Sequence, residues 1–520
     1  MTPLRARYLD LLVFAVGLTT LGVELAAARL LDPWFGNSVL VWASLISLIL
    51  LYLSVGYTLG GRLADRRPDP LLLCELAAWA GFLIGCVPLI ARPVLALAAR
   101  ALGDVEYNVS LLGGSLLGVF ALFAAPIVLL GCVTPFAVRL AISDLDTRGR
   151  AAGRIYALST VGSIVGCFLP VLVLIPRLGT RLTFSALGIV LLSVALPGIW
   201  SRTGGSRRLL LYAVLWVAAL AIAWIARAIP IKPTPGLAFE AETLYNYVQV
   251  VQEGSETWLL LNEGQGLHSV YDPAAGLSEG IWDYFLVAPF FNAPPYPPAA
   301  VESLCLIGLA GGTVARLYTQ AFGPIPIDGV ELDPTIIAVG RAYFAMTEPN
   351  LRAIAQDGRA FLRRSDRRYD VIAVDAYRPP YIPFHLATVE FFQLARAHLT
   401  VDGVIAVNVG RTSDDYRLVD AVAATLAQVM PTVYIVDEPG PPYGLANSLV
   451  IGTMQPTRLE NLARNAAQVT QPLLAEMLRR AIPHARVARP SPLTPIFTDD
   501  RAPVEEVVHA IIAQYLMGNR

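Results

Sequence analysis

The sequence predicts two structural halves: an N-terminal bundle of transmembrane helices and a C-terminal α/β domain preceded by a β-hairpin region. The first observation is composition, because 15% of the 520 residues are charged, whereas soluble domains carry about 25%. Mean hydropathy is +0.57, and 55% of the residues are hydrophobic. The second observation is that long apolar stretches stop near residue 227 and short alternating segments follow. A large part of the chain is therefore expected to lie in lipid.

The membrane half is expected to contain about seven spans, because a bilayer crossing needs roughly 20 mostly apolar residues. Residues 92–103 are too short and too rich in arginine to cross, and they are expected to form an interfacial helix. The seven apolar stretches are residues 10–31, 38–60, 71–91, 113–134, 155–176, 182–200 and 207–226.

Charge and cysteine content argue against two classes of partner. The formal net charge of −1 lacks the basic footprint of a nucleic-acid-binding protein. The five cysteines show no CxxC spacing, so no metal site is expected.

The C-terminal half changes to the pattern of an α/β protein. LYNYVQVVQ and TWLLLNEG alternate like the strands of a hairpin. Apolar strands near 303–308, 326–331, 370–375 and 403–409 then alternate with helical segments, which predicts a parallel sheet with helices on both faces. The expected domains are a transmembrane bundle at 1–227, a linker at 228–243, a hairpin region at 244–298, a nucleotide-type fold at 299–455 and a helical extension at 456–520.

A glycine-rich turn follows the first strand of the α/β region. Strand LCLI ends at Ile307, and Gly308, Gly311 and Gly312 precede the next helix. Glycine lets the backbone approach a ligand closely, and a helix N-terminus favours anionic or polar ligand groups. Thr313 replaces the last glycine of a dinucleotide fingerprint, so the turn is either another kind of cofactor loop or a tight structural turn.

Three further segments place carboxylates at the ends of predicted strands or just before helices. The second strand ends with Glu331 and Asp333, where an acid commonly binds ribose hydroxyls; both residues could equally be solvated loop acids. Asp357 precedes a helix, where it could contact a bound ligand or could serve as the N-cap of that helix. Asp375 ends the strand of RYDVIAVDAY, so its carboxylate is expected at the crevice where such folds bind ligands.

Over about residues 240–455 the sequence resembles the spermidine synthase family, the polyamine aminopropyltransferases. The resemblance is carried by four segments in this order: IGLAGGT, GVELD, QDGRAFL and YDVIAVDAYRP. The resemblance implies a Rossmann-like domain of the S-adenosylmethionine-methyltransferase type. It also implies transfer of an aminopropyl group from decarboxylated S-adenosylmethionine to an amine. With its membrane segments, the whole chain resembles bacterial membrane proteins that join a transporter-like half to a spermidine-synthase-like domain.

The resemblance implies a role for each matching residue. Asp375 matches the proton acceptor, which takes a proton from the attacking amine. Glu331 would bind the ribose, and Asp357 with Gly358 would hold the adenine. The cofactor loop would comprise Gly308, Gly311 and Gly312, with Asp333 beside Glu331, and the acceptor side would comprise Asn246, Gln265, Asp283, Tyr377, Arg378 and His385.

Two departures from the family pattern affect the amine end of the site. The aspartate of the family's glycine loop is Ala310 here, and the second acid after the proton acceptor is Arg378. An arginine repels a cationic amine and pairs with carboxylate or phosphate. A methyltransferase that uses intact S-adenosylmethionine therefore remains an alternative, as does a transporter or sensor that binds a polyamine or nucleoside without catalysis.

The location is expected to be the inner membrane, with several crossings. Twelve Lys and Arg residues fall on one side of the predicted spans and seven on the other, which favours a cytoplasmic N-terminus. Seven spans would then put the C-terminal half outside, whereas the implied cofactors are cytosolic. We therefore expect one miscounted span and a cytoplasmic domain. The acceptor is expected to be a small amine or a membrane-associated molecule, and an oligomer is compatible with the sequence.

Overall fold

The computed structural model describes residues 3–36, 39–101, 107–142, 148–203, 207–262, 266–377, 382–440, 445–508 and 510–511. The chain divides into two compact units. The first comprises Met1–Thr234 and Glu240–Tyr247, and the second comprises Pro235–Phe239 and Val248–Arg520.

The first unit is mostly helical, and six helical segments among its described residues are long and apolar enough to cross a membrane. Residues 92–101 continue helix α3, so the expected separate interfacial helix is wrong. The helices are α1 (Pro3–Phe35), α2 (Val39–Arg66), α3 (Pro70–Ala101), α4 (Tyr107–Ala141), α5 (Arg148–Leu169), α6 (Ile175–Thr203) and α7 (Arg207–Ala226).

The fifth of the six segments, Gly149–Thr203, is 55 residues long and contains two of the predicted spans. A straight helix of that length would measure about 80 Å, more than twice the hydrocarbon core of a bilayer. Pro170–Leu174 form a π-helical turn within it, and Gly179 breaks it with φ 78° and ψ 167°. Each of the seven predicted stretches therefore overlaps one of the six segments, and the stretches 155–176 and 182–200 lie on opposite sides of Gly179.

Close-packed glycines join three pairs of these helices. A Cβ on Gly162 of α5 would overlap the Phe14 carbonyl oxygen of α1. A Cβ on Gly60 of α2 would overlap the backbone of Cys132 in α4, and Gly188 of α6 meets the backbone of α3 in the same way. Small residues at helix contacts are typical of transmembrane bundles, because close packing, rather than a hydrophobic force, holds helices together in lipid.

The predicted linker is partly built into the first unit. The Glu240 carboxylate accepts hydrogen bonds from the Ile231 N–H at 3.0 Å and from the Tyr247 hydroxyl at 2.7 Å. Glu242 Oε2 accepts from the Thr180 N–H at 2.6 Å, immediately after the helix break. Burial raises the pKa of Glu242. This end of the linker is therefore held by specific contacts.

A small sheet opens the second half of the chain. Strands β2 and β3 form the predicted hairpin, in which Glu253 pairs with Glu256 across a turn whose Gly254 has φ 61°. Strand β4 pairs antiparallel with β3. The order is β1 (Leu237–Glu242), β2 (Tyr247–Glu253), β3 (Glu256–Leu261) and β4 (Leu267–Tyr271).

The main sheet has eight strands in the order β12-β10-β11-β9-β8-β5-β6-β7. Strands β5 to β9 are mutually parallel, whereas β11 pairs antiparallel with both β9 and β10, and β12 is antiparallel to β10. The strands are β5 (Leu304–Ile307), β6 (Ile327–Glu331), β7 (Leu351–Ala355), β8 (Tyr369–Val374), β9 (Leu399–Thr412), β10 (Thr432–Asp437), β11 (Leu445–Thr453) and β12 (Ala485–Val487). The expected parallel sheet is therefore mixed at one end, and the predicted fold class is confirmed.

Helices cover both faces of this sheet. Alternate residues of its buried strands point to opposite sides, so each face has its own apolar cluster. Leu304 and Leu306 of β5 pack into one apolar cluster, and Cys305 and Ile307 pack into another. The segment after residue 455, expected to be helical, also contributes β12. The helices are α8 (Ile281–Tyr284), α9 (Thr313–Phe322), α10 (Pro334–Tyr343), α11 (Gly358–Arg364), α12 (Val389–Ala397), α13 (Arg417–Leu426), α14 (Glu460–Ala466) and α15 (Pro472–Ala481).

Candidate active site

The carboxyl ends of the parallel strands bring most of the predicted residues to one edge of the main sheet. The glycine loop follows β5, Glu331 ends β6, Asp357 follows β7 and Asp375 follows β8. Ligands bind at this edge in open α/β sheets, where the strand order reverses. The fold thus places the four sequence motifs around one crevice.

The glycine loop passes close to its neighbours. Gly308 has φ 94°, and a Cβ there would overlap the carbonyl oxygen of Asp375. The Gly311 N–H donates to Ser269 Oγ of β4 at 2.8 Å. Ala310 adopts φ 47°, a left-handed conformation in a position that is not glycine. The loop is therefore held tightly between β4, β6 and the end of β8.

Glu331 supports the glycine loop from the end of β6. Its Oε2 accepts from the Ala310 N–H at 3.0 Å, and its Oε1 accepts from the Asp333 N–H at 3.2 Å. Burial raises the pKa of this carboxyl, and the two backbone donors oppose that rise. Asp333 itself caps helix α10 by accepting from the Thr335 N–H at 2.9 Å. A carboxylate offers about four acceptor positions, so Glu331 keeps a lone pair with which it could accept from a ribose hydroxyl.

Asp357 caps helix α11 and also pairs with a histidine. Its Oδ1 accepts from the Ala360 N–H at 2.8 Å, and its Oδ2 lies 2.9 Å from His385 Nε2. The hydrogen bond with His385 is the main cause that lowers the pKa of Asp357. A Cβ on Gly358 would overlap the side chain of Ile307, so glycine lets α11 approach β5. His385 therefore lies beside the predicted adenine residues.

Asp375 is the candidate base. Asn408 Nδ2 of β9 donates to Asp375 Oδ1 at 2.8 Å, and the Trp282 indole also hydrogen-bonds to this carboxyl. Removal from water raises the pKa of Asp375 to about 7, and the nearby charge of Glu331 adds to the rise. The Tyr377 hydroxyl accepts from the Gly410 N–H, and burial raises the pKa of Tyr377. Asp375 is thus a fixed carboxyl that can exchange a proton near neutral pH.

The structure describes only some of the predicted acceptor residues at the crevice. Asp283 is buried, and its Oδ1 accepts from the Ser278 N–H at 2.9 Å and the Ser278 hydroxyl at 2.6 Å. Asn246 belongs to the first unit, where its N–H donates to Thr243 Oγ1 at 2.8 Å. Gln265 and Arg378 lie outside the described residues. In the described part of the chain, no three His, Cys, Asp or Glu side chains converge as a metal site.

Two residues at the crevice were missed by the sequence reasoning. Asn408 interrupts the apolar strand GVIAVNVG, and a polar residue inside a buried strand beside β8 was the signal that could have found it. Gln356 ends the segment after β7, and its buried Nε2 has no hydrogen-bond partner among the described residues. Buried polar atoms are rarely left unpaired, so both positions indicate groups that a ligand could satisfy.

Comparisons with known proteins agree with this architecture. Residues 304–457 match the Spermine/spermidine synthase domain. A probable polyamine aminopropyl transferase of Bifidobacterium longum is 31% identical over 304 residues, which are 53% of this chain and 63% of that protein. A polyamine aminopropyltransferase of Vibrio vulnificus is 32% identical over 148 residues, which are 28% of this chain and 46% of that protein. The chain thus spans less than two thirds of the length of either relative.

A probable spermidine synthase from Corynebacterium glutamicum is similar among solved structures, with 18% identity and a TM-score of 0.41 over 52% of this chain and 97% of that protein. The sequence match over β5 to β11 coincides with the strands that build the crevice. Residues 304–457 of this chain are thus similar in sequence to the Spermine/spermidine synthase domain.

Proposed function

We propose that this chain is a membrane-anchored transferase that moves an aminopropyl group from decarboxylated S-adenosylmethionine to an amine, in polyamine biosynthesis. The observation that carries the proposal is Asp375, a desolvated carboxyl held by two hydrogen-bond donors beside the glycine loop. The relatives named as polyamine aminopropyltransferases support the same reaction class.

Asp375 would act as the general base. An amine must lose a proton as its nitrogen attacks carbon, and a base works best when its pKa lies near the working pH. Desolvation brings the pKa of Asp375 to about 7, and the donors from Asn408 and Trp282 keep the carboxyl in one orientation. The acceptor nitrogen would therefore meet a fixed oxygen that can take its proton.

The described residues fit the nucleoside part of the proposed donor. Gln356 Nε2 is a buried donor at the crevice that has no partner in the described part of the chain, and Glu331 can accept a further hydrogen bond. Ala310 provides no acid for the ammonium group of the donor. When bound, the donor would supply an aminopropyl group on a carbon activated by a sulfonium. Gln356, Glu331 and the glycine loop would hold its nucleoside.

Activity is expected to rise with pH and to level off above neutrality. The base must be deprotonated, and the pKa of Asp375 is about 7, so protonation removes the active form as pH falls. After division by the fraction of acceptor amine that is neutral at each pH, the logarithm of kcat/KM should climb with a slope of one below pH 7 and flatten above it. Steady-state rates between pH 5.5 and 9 test this. A flat profile across this interval would mean that another group takes the proton.

Equilibrium binding on detergent-purified protein tests the choice of donor. We expect decarboxylated S-adenosylmethionine and methylthioadenosine to bind more tightly than intact S-adenosylmethionine, which carries an extra carboxylate. Glu331→Gln should weaken the binding of all three nucleosides to a similar extent, because it alters the ribose contact that they share. Ala310 favours methyl transfer as a second candidate, and preferential binding of the intact cofactor would select it. Binding without turnover would favour a sensor or transporter.

The apolar helices are proposed to anchor the enzyme in the inner membrane, with the synthase domain in the cytoplasm. Six helical segments are long and apolar enough, and glycine-mediated helix contacts support a lipid environment. The proposed donor is a cytosolic metabolite, which favours the cytoplasmic side. Fusions at the C-terminus test the side, since green fluorescent protein should fluoresce there and secreted alkaline phosphatase should stay inactive. The opposite pair of results would put the domain outside.

A further inference from the structure

Asn408 carries a buried hydrogen-bond acceptor that has no partner among the residues that the structure describes. The residue lies on β9, beside strand β8, which Asp375 follows, and only 6% of its surface is exposed. Its Nδ2 is used, because it donates to Asp375 Oδ1 at 2.8 Å. Its Oδ1 is buried and has no hydrogen-bond partner among the described residues. Unpaired buried acceptors are rare in proteins, so this oxygen indicates a missing partner.

A partner for Asn408 Oδ1 must be a hydrogen-bond donor. This oxygen belongs to the side chain that contacts Asp375, the base that the proposed acceptor amine would meet. Asp375 is acceptor-only when ionised, and the neighbouring amide oxygen of Asn408 is also only an acceptor. Two adjacent acceptors, one charged and one neutral, match a group that offers two N–H bonds from one nitrogen. Trp282, 8% exposed, also hydrogen-bonds to Asp375.

We propose that Asn408 positions Asp375 through its Nδ2 and binds the acceptor nitrogen through its Oδ1, which makes the enzyme selective for primary amines. The inference rests on the proposed function, since it assigns a second contact within the same reaction. A neutral primary amine has two N–H bonds and one lone pair. With one N–H on Asp375 and the other on Asn408, the lone pair has a single direction left, toward the donor carbon.

The proposed transfer requires no co-reactant beyond the donor, the amine and these residues. The amine nitrogen forms the new C–N bond as the C–S bond of the donor breaks, and the thioether nucleoside leaves. The nitrogen becomes positively charged and passes its surplus proton to Asp375. A secondary amine has one N–H, which can reach Asp375 or Asn408 but not both. A secondary acceptor should therefore react more slowly, mainly through kcat.

The first test compares a primary amine with its N-methyl derivative in Asn408→Ala. Wild type should prefer the primary amine in kcat/KM, and the variant should lose roughly tenfold of that preference, the effect of about one hydrogen bond. The KM for the sulfonium donor should stay unchanged. Asn350→Ala is the matched control, because Asn350 Nδ2 is also engaged, its Oδ1 is also buried without a partner, and it lies before β7 at the opposite edge. An unchanged preference in Asn408→Ala, or an equal loss in Asn350→Ala, would overturn the proposal.

The second test needs no turnover, so it separates this inference from the proposed function. Trp282 hydrogen-bonds to Asp375, so its fluorescence should report the titration of that carboxyl when Asp375→Asn is used as the baseline. Among the described residues, Glu331 and Tyr377 are the other titratable groups whose charges interact with Asp375. The Asn408 donor stabilises the carboxylate, so Asn408→Ala should raise the midpoint, and Asn350→Ala should not. A wild-type midpoint in Asn408→Ala would overturn the positioning role even in a protein that never turns over.

Discussion

Replacement of Asp375 by asparagine is expected to lower kcat by a factor of about 10² to 10⁴, the usual contribution of a general base. Asparagine keeps the shape of the side chain and an oxygen that can accept from Asn408, so the crevice should keep its structure. Binding of methylthioadenosine should stay within about twofold of wild type, since the substitution removes only proton transfer. Rapid-quench rates and calorimetric binding measure the two effects separately.

The loss of activity in Asp375→Asn should not reflect unfolding. The folded pKa of about 7 lies above the ordinary 3.8, so the folded state binds the proton more tightly and this carboxyl destabilises the fold progressively as pH rises from about 4 to about 7. At pH 8 the variant should therefore be at least as stable as wild type. Asp370→Asn is the control at the start of the same strand, where Asp370 Oδ2 accepts from the Glu302 N–H at 2.9 Å. Normal turnover in Asp375→Asn, or loss of nucleoside binding, would contradict the assignment.

Substitution of Gly162 by leucine is expected to disrupt the helical bundle. Even a Cβ at this position would overlap the Phe14 carbonyl oxygen, so α1 and α5 would have to separate. Overpacking that forces the backbone to move typically costs about 1 to 3 kcal/mol. The variant should give little monodisperse protein in detergent and should unfold at a lower temperature, as followed by size-exclusion chromatography and circular dichroism.

Gly153→Leu is the matched control for this substitution. Gly153 lies on the same helix, α5, and a Cβ there would meet no described atom within 4 Å apart from the neighbouring backbone of its own helix. Leucine at this position should leave the yield and the thermal midpoint close to those of wild type. Equal damage from both substitutions would show that α5 tolerates no leucine, and normal behaviour of Gly162→Leu would contradict the tight α1–α5 contact.

The elements that the sequence predicted well are those specified by local pattern. The strand Leu304–Ile307 is apolar on both faces, and the glycines after it require a turn into a helix, so the crevice could be placed without any long-range information. Antiparallel β11 was missed, because its position between β9 and β10 depends on pairing across the chain. The break at Gly179 was read only as a gap between two spans, since hydropathy does not report φ.

Site residues could be predicted where the end of a strand decides their position. They could not be predicted where their role depends on a hydrogen-bond partner. Asp375 and Glu331 reach the crevice because β8 and β6 end there. Asp333 and Asp357 both cap helices, and the pairing of Asp357 with His385 depends on a residue 28 positions away. The role proposed for Asn408 rests on its Oδ1, which has no partner among the described residues, and a sequence does not show hydrogen-bond partners.

Product analysis on the purified chain tests the central proposal most directly. The protein would be incubated with decarboxylated S-adenosylmethionine or the intact cofactor, together with a set of primary diamines, and the products would be identified by mass spectrometry. We predict release of methylthioadenosine with an aminopropylated acceptor, from the decarboxylated donor alone and absent in Asp375→Asn. Release of S-adenosylhomocysteine with a methylated acceptor would contradict aminopropyl transfer, as would a protein that binds the donor and forms no product with any amine.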